Sequence, residues 1–438
     1  MAAMGLFWLV MTGLGMVHLA LPRARLTEKA GLAFPISCGL HGAIYYVLVQ
    51  SRGSSIWWSI IILSPFLAST LKANVKPDFP VRFHLKPLDA FALVFALLAF
   101  TQVWIHLLVT PIREWDALAM WVFKARAIAT DGRITSAFVN WLAAQGRHPA
   151  YPWNVPMMQV WLSGIAGGFS ETLSKWMYAL FFTSLLLILY SIARLKWQRT
   201  GSLIFVAAYL SIPVAVEAAG FREADIVLET LIAAIIFLAL RRQILPERGA
   251  IALVAVLVFL CCWTKIEGVA FSALVFLPYL FLALLSSPNR AENTRLFAGA
   301  AAGLAAGFLA FWISKSIFGA STIFASGIPI FGPREWMHRT VFVLKTTLAE
   351  MLQIQRWNLT WFAAGGMLWA GRDRFHLKFL LLVHLALYLV VYLLTPLPLE
   401  WHMTTSLARV LLHTLPACFA LCVFSFDTKS QRGKAEIQ

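Results

Sequence analysis

Long apolar runs recur along this chain and constrain its fold more than any other feature. The 438 residues are 60% hydrophobic and only 13% charged, whereas soluble domains carry roughly 25% charged residues. A helix needs about 20 apolar residues to cross a bilayer, and runs near that length occur throughout. We therefore predict an all-α, polytopic transmembrane protein of about 13 spans. The predicted spans are residues 4–22, 31–50, 54–71, 88–110, 174–193, 201–219, 225–240, 250–264, 269–285, 297–316, 357–371, 378–396 and 406–425.

The basic residues predict the orientation of these spans. The net charge is +16, and Lys and Arg cluster in alternate short loops, such as 194–199 and 241–248, and in the tail. The positive-inside rule places those loops in the cytoplasm. The charge excess is then a topology signal, so no nucleic-acid partner is expected. Three parts follow: residues 1–87 with three spans and a basic loop, a main transmembrane domain at 88–425, and a cytoplasmic tail at 426–438.

One acidic segment, Arg-Glu-Trp-Asp at 113–116, follows the run 88–110 and opens the longest loop on the opposite side, 111–173. A carboxylate at a membrane boundary is costly unless it is used. Asp116 is therefore the first candidate for a catalytic base and Glu114 the second. Other charged and polar residues fall in loops and span ends that the topology brings to the same face, and they predict an aqueous pocket for a charged substrate. The candidate substrate-binding residues are Asp225, Arg222, Lys265, Glu267, Arg126, His148, Tyr151, His402 and Arg409.

The loop 111–173 has a pattern of its own. Its first part carries an apolar stripe at helical spacing, and a helix of this kind, too polar to span, lies in the interface plane. Lys124, Arg126 and Asp131 are expected off that stripe. Residues 147–156 contain three prolines, which predicts a rigid, extended path suited to capturing a lipid head group. The stripe consists of Leu118, Trp121, Val122, Ala125, Ile128 and Ala129.

Taken in order, several segments resemble the polyprenyl-phosphate-sugar-dependent GT-C glycosyltransferases. Within that superfamily the chain is most similar to bacterial enzymes of the protein mannosyltransferase and aminoarabinose transferase type (family 39 and relatives). The resemblance covers residues 88–425, and the first three spans look like an addition. The segments are the acidic motif at 113–116, two interfacial helices in the first outer loop, His-Pro-x-Tyr-Pro at 148–152, Ala-Asp-Ile-Val-Leu at 224–228, Thr-Lys-Ile-Glu-Gly at 264–268 and Ser-Leu-Ala-Arg at 406–409.

The resemblance implies a reaction and a location. Such enzymes pass a sugar from a polyprenyl phosphate in the outer leaflet to an extracytoplasmic acceptor (a glycan, lipid or protein), generally with inversion at the anomeric carbon. The acidic residue that opens the first outer loop acts as base or orients the acceptor, a role that maps to Asp116. The implied location is the bacterial inner membrane, with the site facing the periplasm or exterior. A departing lipid phosphate needs cationic partners, for which the candidates are Lys265, Arg222, Arg409 and Arg126.

Several site residues have a plainer alternative. Because the acids are spaced Glu-Trp-Asp, Glu114 stays open as the base, or it simply pairs with a cation. Asp225 also suits an acid in the first turn of a helix. Arg409 either pairs with a carboxylate such as Glu400 or meets a substrate phosphate.

The same holds for the remaining polar residues and for the function class. Lys265 and Glu267 also suit an ordinary boundary pair. His148 and His402 suit a metal site, proton transfer or plain hydrogen bonding. No cofactor is specified: some members of the superfamily use a divalent metal and others do not, and no ligand spacing decides between them. Two other function classes are alternatives. A lipid-linked glycan polymerase or ligase would place its key residues in a large loop late in the chain, whereas the largest loop here is early. A secondary transporter would show a repeat with sites near mid-membrane, whereas the acids here fall at one face and no repeat is evident.

Overall fold

The computed structural model describes residues 2–50, 56–72, 86–149, 151–286, 290–318, 331–370 and 375–426. All regular secondary structure within these ranges is helical, which confirms the predicted class. The basic loop at 73–85 and the tail beyond residue 426 lie outside the described residues. The helices of the first half are α1 (Ala2–Ala20), α2 (Leu26–Gln50), α3 (Trp57–Lys72), α4 (Pro87–Val109), α5 (Val122–Asp131), α6 (Ser136–Ala144), α7 (Asn154–Ile165), α8 (Glu171–Arg194), α9 (Arg199–Leu210) and α10 (Pro213–Ala219).

The second half continues as helices joined by short breaks. Two π-helical segments, Ala117–Trp121 and Phe271–Phe276, run directly into α5 and α14. The helices are α11 (Ala224–Ile244), α12 (Gly249–Thr264), α13 (Ile266–Ala270), α14 (Leu277–Ser286), α15 (Arg290–Phe318), α16 (Pro333–Met351), α17 (Ile354–Trp357), α18 (Thr360–Ala370), α19 (Phe375–Leu394), α20 (Leu399–Leu412) and α21 (Leu415–Ser425).

Eight of the helical segments among the described residues are long and apolar enough to cross a membrane, and each coincides with a predicted span. Many large apolar side chains of α4 are exposed, as expected for contact with lipid. The chain therefore has the character of an integral membrane protein. The eight are Ala3–Ala20, Leu26–Gln50, Pro87–Val109, Glu171–Arg194, Ile266–Ser286, Arg290–Ser316, Phe375–Leu394 and Leu399–Ser425.

The other predicted spans differ from simple crossing helices. The run 201–219 was expected to be continuous, but α9 and α10 meet at an angle of 76°. Pro213 is the cause, because it begins α10 at a position where its missing N–H is not needed and disfavours helix at Ile212. The run 357–371 contains α18, which is 11 residues long, and α3 and α12 have 16 residues each.

The core is built around α11. Every residue from Ala224 to Arg242 is buried, and α8, α12, α2, α20 and α21 pack around this helix. The N-terminal end of α11 carries Asp225 and Glu229, and the other end carries Arg241 and Arg242. Acidic and basic termini in this order complement the helix dipole. A fully surrounded helix with a charged end fixes that charge at one defined place in the bundle.

The loop 111–173 folds as predicted in its first part and differs in its last. The helix expected from the apolar stripe is present, with Trp121, Ala125 and Ile128 buried. The proline-rich segment was expected to stay extended through residue 156, but α7 begins at Asn154. Pro156 fits because it lies in the first turn, where its nitrogen has no helical acceptor to reach. The loop thus packs against the bundle through α7, whose residues 154–163 are buried.

Candidate functional site

Charged side chains from four segments meet at the N-terminal end of α11, and we call this group the charged cluster. Its side chains are distant in sequence, and all come from helix ends or helix junctions. The members are Asp116 ahead of the π-helical segment before α5, Glu223 and Asp225 at the start of α11, Lys265 and Glu267 at the junction of α12 with α13, and Arg409 and His413 at the end of α20.

Local sequence explains why these ends meet. Lys265 has an extended backbone, with φ −154° and ψ 153°, and it separates α12 from α13. Gly268 lies against the backbone of α12, where a Cβ atom would come within 2.1 Å of the Cys261 carbonyl oxygen. The glycine therefore lets α13 turn back closely on α12. This tight junction holds Lys265 and Glu267 beside the start of α11.

Arg409 links three carboxylates through a single nitrogen. Its Nη1 lies 2.5 Å from Asp116 Oδ2, 2.6 Å from Glu223 Oε2 and 3.9 Å from Asp225 Oδ2. The sequence left a carboxylate or a substrate phosphate open as the partner of Arg409. In the structure Arg409 contacts carboxylates, although these are Asp116 and Glu223 rather than Glu400. Charge-assisted hydrogen bonds of this kind are about twice as strong as neutral ones.

The rest of the Arg409 guanidinium stays available. Its contacts with described residues all use Nη1, and the side chain is 24% exposed. Nε and Nη2 make no hydrogen bond to the described part of the chain. Because a guanidinium presents its donors in a planar fork that matches phosphate, the free edge suits an anionic ligand. Asp116, equally exposed at 24%, lies against the same guanidinium.

Lys265 forms the second cationic centre of the charged cluster. Its Nζ lies 2.8 Å from Asp225 Oδ1 and 3.1 Å from Glu267 Oε1. The other oxygen of Glu267 is buried and has no hydrogen-bond partner among the described residues. Lys265 therefore does not extend to the membrane surface as in an ordinary boundary pair, since it is buried and joins α11 to α13 through these two carboxylates.

His413 extends the charged cluster into the bundle. Its Nε2 lies 3.0 Å from Asp225 Oδ1, and its Nδ1 shares a hydrogen bond of 2.9 Å with the hydroxyl of Tyr388. The same hydroxyl lies 3.3 Å from Nε2 of His384. All three side chains are buried. A line of groups that can carry protons thus leads from Asp225 into the core.

Negative charge is in excess here. Four carboxylates face two fixed cations, so the acids compete for charge neutralisation. Burial, opposed in part by Arg409, raises the pKa of Glu223 from its usual 4.5 to about 7, with the negative charges of Asp225 and Asp116 acting in the same direction as burial. A carboxyl group that titrates near neutral pH can both take up and release a proton under working conditions.

Arg222, a predicted phosphate ligand, is held elsewhere. Its side chain is fully buried, with Nη1 2.8 Å from Glu114 Oε1 and Nη2 donating to the carbonyl oxygens of Leu107 and Thr110 at the end of α4. This arginine therefore caps the C-terminus of α4 and neutralises Glu114. These contacts give both residues a structural role, and they separate Glu114 from Asp116, which faces Arg409.

The predicted loop residues divide into two groups. Tyr151 is half-buried, and its phenol is close enough to the charged cluster that burial and the charge of Glu267 raise its pKa. His148 is exposed, with a positive φ of 43°, and its ring packs edge-on against Tyr151 at 5.6 Å. Arg126 is exposed and lies over the ring of Phe169, 5.1 Å away. Besides Asp116, Tyr151 and His148 are thus the loop side chains that the structure brings toward the site, since the charge of Asp116 also acts on the pKa of His148.

Lys124 was expected off the apolar stripe of its helix, and that expectation was wrong. Its spacing from Trp121 and Ile128 puts it on the buried face, and its side chain is inaccessible to solvent. Nζ donates to the backbone oxygen of His148 at 2.9 Å and lies 4.9 Å from the Trp153 ring. Burial lowers the pKa of Lys124 to about 7. The lysine ties the loop helix to the segment that carries Tyr151.

His402 lies on α20, where the charges of Glu267 and Arg409 act on it but its side-chain hydrogen bond goes to a threonine. Its Nδ1 shares a hydrogen bond of 2.8 Å with Thr395 Oγ1, and its ring packs at 5.0 Å against Tyr392. These contacts fit the plainer alternative of a hydrogen-bonded fixture. In the part of the chain that the structure describes, no group of three or more His, Cys, Asp or Glu side chains is arranged to hold a metal ion.

An apolar groove lies next to the Glu114–Arg222 pair. It has a volume of about 920 Å³ and lies between α4 and α10, with Leu98, Val109 and Phe221 among its lining residues. Thr110 lines the groove and also accepts from Arg222, so one end of the groove lies next to the Glu114–Arg222 pair. A groove with these walls accommodates a hydrocarbon chain.

Comparison with known proteins adds no assignment: no family model, no curated protein and no solved structure matches this chain. The side chains themselves must therefore carry the functional assignment.

Two members of the charged cluster were missed by sequence reasoning as site residues. Glu223 stands beside Asp225 in the acidic turn, and its direct contact with Arg409 depends on how α20 packs against α11. His413 follows Arg409 by four residues, a spacing that places both on one face of a helix. That spacing is the signal that identifies it.

Proposed function

We propose that this protein is a membrane glycosyltransferase that moves a sugar from a polyprenyl-phosphate donor to an extracytoplasmic acceptor. The contact between Asp116 and Arg409 carries this proposal. It sets a partly exposed carboxylate and a guanidinium with free donors side by side at the N-terminal end of α11. The reaction needs both groups at one site: the carboxylate serves the acceptor hydroxyl on one face of the sugar, and the remaining donors of Arg409 serve the leaving phosphate on the other.

The chemistry assigns a task to each centre. Asp116 accepts the proton of an acceptor hydroxyl as its oxygen bonds to the anomeric carbon. The bond between that carbon and the phosphate oxygen breaks, and the lipid phosphate leaves with the electron pair. Arg409, with Lys265 behind it, stabilises the negative charge that accumulates on the phosphate. Attack and departure on opposite faces invert the anomeric centre.

The groove between α4 and α10 supports a lipid-linked donor. An isoprenoid chain enters such a groove from the bilayer, and its phosphate reaches past the Glu114–Arg222 pair to Arg409 and Lys265. We assign contact with the sugar or its phosphate to Tyr151, because the charges of the cluster act on its phenol.

The architecture that accompanies this proposal is the GT-C fold. The three N-terminal helices add to a catalytic domain over residues 88–425. The span count near 13 treats α3, α11, α12, α18 and the bent α9–α10 pair as crossing or partly crossing elements. The charged cluster faces the periplasm or exterior of a bacterial inner membrane.

The test is the composition of the cell envelope in a strain that lacks this protein. Mass spectrometry of envelope glycans and lipid-linked sugars is expected to show loss of one glycosylated product and accumulation of its lipid-linked donor. The wild-type chain and an Asp131→Asn variant, altered at an exposed acid of the same loop helix, restore the product. Asp116→Asn does not. An unchanged envelope, or full restoration by Asp116→Asn, would contradict the proposal.

A proton-coupled secondary transporter is a second candidate, favoured by the buried line from Asp225 through His413 and Tyr388 to His384. In that case the deletion strain would lack a transport activity that depends on the pH gradient, with its envelope sugars unchanged. The same mass spectra therefore separate the two candidates.

A further inference from the structure

The helix α16 (Pro333–Met351) exposes its apolar stripe and packs a largely polar face against the protein. The stripe of Met337, Val341, Leu344 and Leu348 is exposed, each side chain by 52% or more. The face that packs against the protein instead contains Arg339, Val343, Thr347 and Glu350. Polar residues packed inward and an apolar stripe outward require an apolar environment outside.

Contacts from Arg339 in the first half of α16 and from Glu350 at its C-terminal end hold the helix against neighbouring helix ends and breaks. Arg339 donates to the carbonyl oxygens of Leu393 and Thr395 at the C-terminus of the α19 span. Glu350 pairs with Arg356 on α17 at 2.8 Å, and the next loop reaches the break between α9 and α10 through Asn358, which donates to the Ser211 hydroxyl at 3.2 Å. The C-terminus of a span marks a boundary of the bilayer. The helix is therefore pinned at that boundary.

A basic flank adjoins the apolar stripe. Arg334, His338 and Lys345 are exposed on the edge next to it, and the exposed acid Glu335 lies further around the helix. An apolar stripe bordered by cationic side chains is the pattern of helices that lie in the head-group region of a bilayer, where lysine and arginine meet lipid phosphates.

We propose that α16 is a docking surface for the bilayer itself: its stripe enters the acyl boundary, and Arg334 and Lys345 bind anionic phospholipid head groups. The occupant is lipid, because the helix is fixed at a span end and its charge complements an anionic head group. This inference is independent of the proposed glycosyltransferase activity.

The experiment places a bimane fluorophore on single introduced cysteines in the full chain, reconstituted in nanodiscs. Leu344→Cys reports the stripe, and Glu335→Cys is the matched control on the same helix. The unmodified chain, whose native cysteines are buried or half-buried, gives the labelling background. Acyl-brominated lipid is expected to quench bimane at Leu344 several-fold more than at Glu335, and aqueous iodide in the reverse order. Quenching of both positions by iodide alone would overturn lipid docking.

The preference for anionic lipid has its own measurement. In mixed discs, brominated phosphatidylglycerol is expected to quench the Leu344 label more than equally abundant brominated phosphatidylcholine, and Arg334→Gln with Lys345→Gln is expected to abolish that difference. Equal quenching by the two lipids in the chain with both basic residues intact would overturn the head-group assignment. A difference that survives the double substitution would remove Arg334 and Lys345 from it.

Discussion

Two arginines with the same predicted role differ at the level of individual atoms. Arg222 is fully buried, and its two terminal nitrogens donate to the Glu114 carboxylate and to carbonyl oxygens at the end of α4. Arg409 is partly exposed and contacts its carboxylates through Nη1. Burial and the choice of nitrogen therefore distinguish a structural cation from one that has donors left for a ligand. A sequence pattern carries neither kind of information.

The contrast predicts how Arg409→Lys behaves. One ammonium group replaces Nη1 between Asp116 and Glu223, so folding and thermal stability are expected to stay near those of the wild type. The free guanidinium donors are lost, and transfer is expected to fall by roughly 10- to 100-fold, the equivalent of one charge-assisted hydrogen bond of about 1.5–3 kcal/mol. Thermal unfolding and turnover in nanodiscs measure the two effects. Full turnover by the lysine variant would mean that the phosphate site lies elsewhere.

Lys124 gives a prediction about pH. Because burial lowers its pKa from 10.5 to about 7, the unfolded chain binds a proton between those values that the folded chain does not. Stability is then lost as the pH falls from 10.5 to 7 and stays reduced below that. Lys124→Met removes this penalty, roughly 5 kcal/mol at full extent, less about 1 kcal/mol for the hydrogen bond to His148. Its thermal midpoint is expected to exceed that of the wild type by more at pH 6 than at pH 9.5. An equal difference at both pH values would contradict the assignment.

At the scale of whole elements, apolar runs predicted long helices well. The run 88–110 became α4, Pro87–Val109, and the run 174–193 became α8, Glu171–Arg194. Breaks were harder, because a run such as 201–219 keeps its hydrophobicity across Pro213. The position of Lys124 was misjudged because a long side chain with a charged tip was assigned to the polar face, although its spacing matched the buried one.

The end of α4 is the element whose position depends most on one side chain. Arg222→Gln is expected to leave Glu114, whose side chain is only 11% exposed, without a cation and the α4 carbonyls without their donor, at a cost of about 3–5 kcal/mol. The thermal midpoint in nanodiscs should fall, while affinity for polyprenyl phosphate in the folded fraction is retained. Exposed Arg126→Gln serves as the control for loss of one positive charge. Normal stability with lost affinity would restore the phosphate role first expected for Arg222.

At the scale of the whole molecule, the sequence predicted which helix ends would lie at the same face but not which atoms would be in contact. The positive-inside pattern placed Asp116, Asp225, Lys265 and Arg409 at one face, and the structure brings these four together. The exact pairs depend on the packing of α20 and α12 around α11, which joins residues hundreds of positions apart. His413 became a member through that packing.

The sidedness itself remains a prediction. Reporter fusions after Arg248 are expected to report the cytoplasm, and fusions after Arg133 the exterior, because basic residues cluster in the loop that holds Arg248. Each fusion protein must also be present at comparable amounts for the two signals to be compared. A cytoplasmic signal at Arg133 would place the charged cluster on the wrong face for an outer-leaflet donor.

Single-turnover sugar transfer by Asp116→Asn tests the central claim most directly. The envelope fraction of the deletion strain supplies both the lipid-linked donor and the unmodified acceptor, presented with purified enzyme in nanodiscs. The substitution preserves side-chain volume and removes the proton acceptor, so the rate is expected to fall by roughly 10²–10⁴-fold, with Asp131→Asn unchanged and binding of polyprenyl phosphate retained in both. A rate for Asp116→Asn equal to that of the wild type would contradict the account.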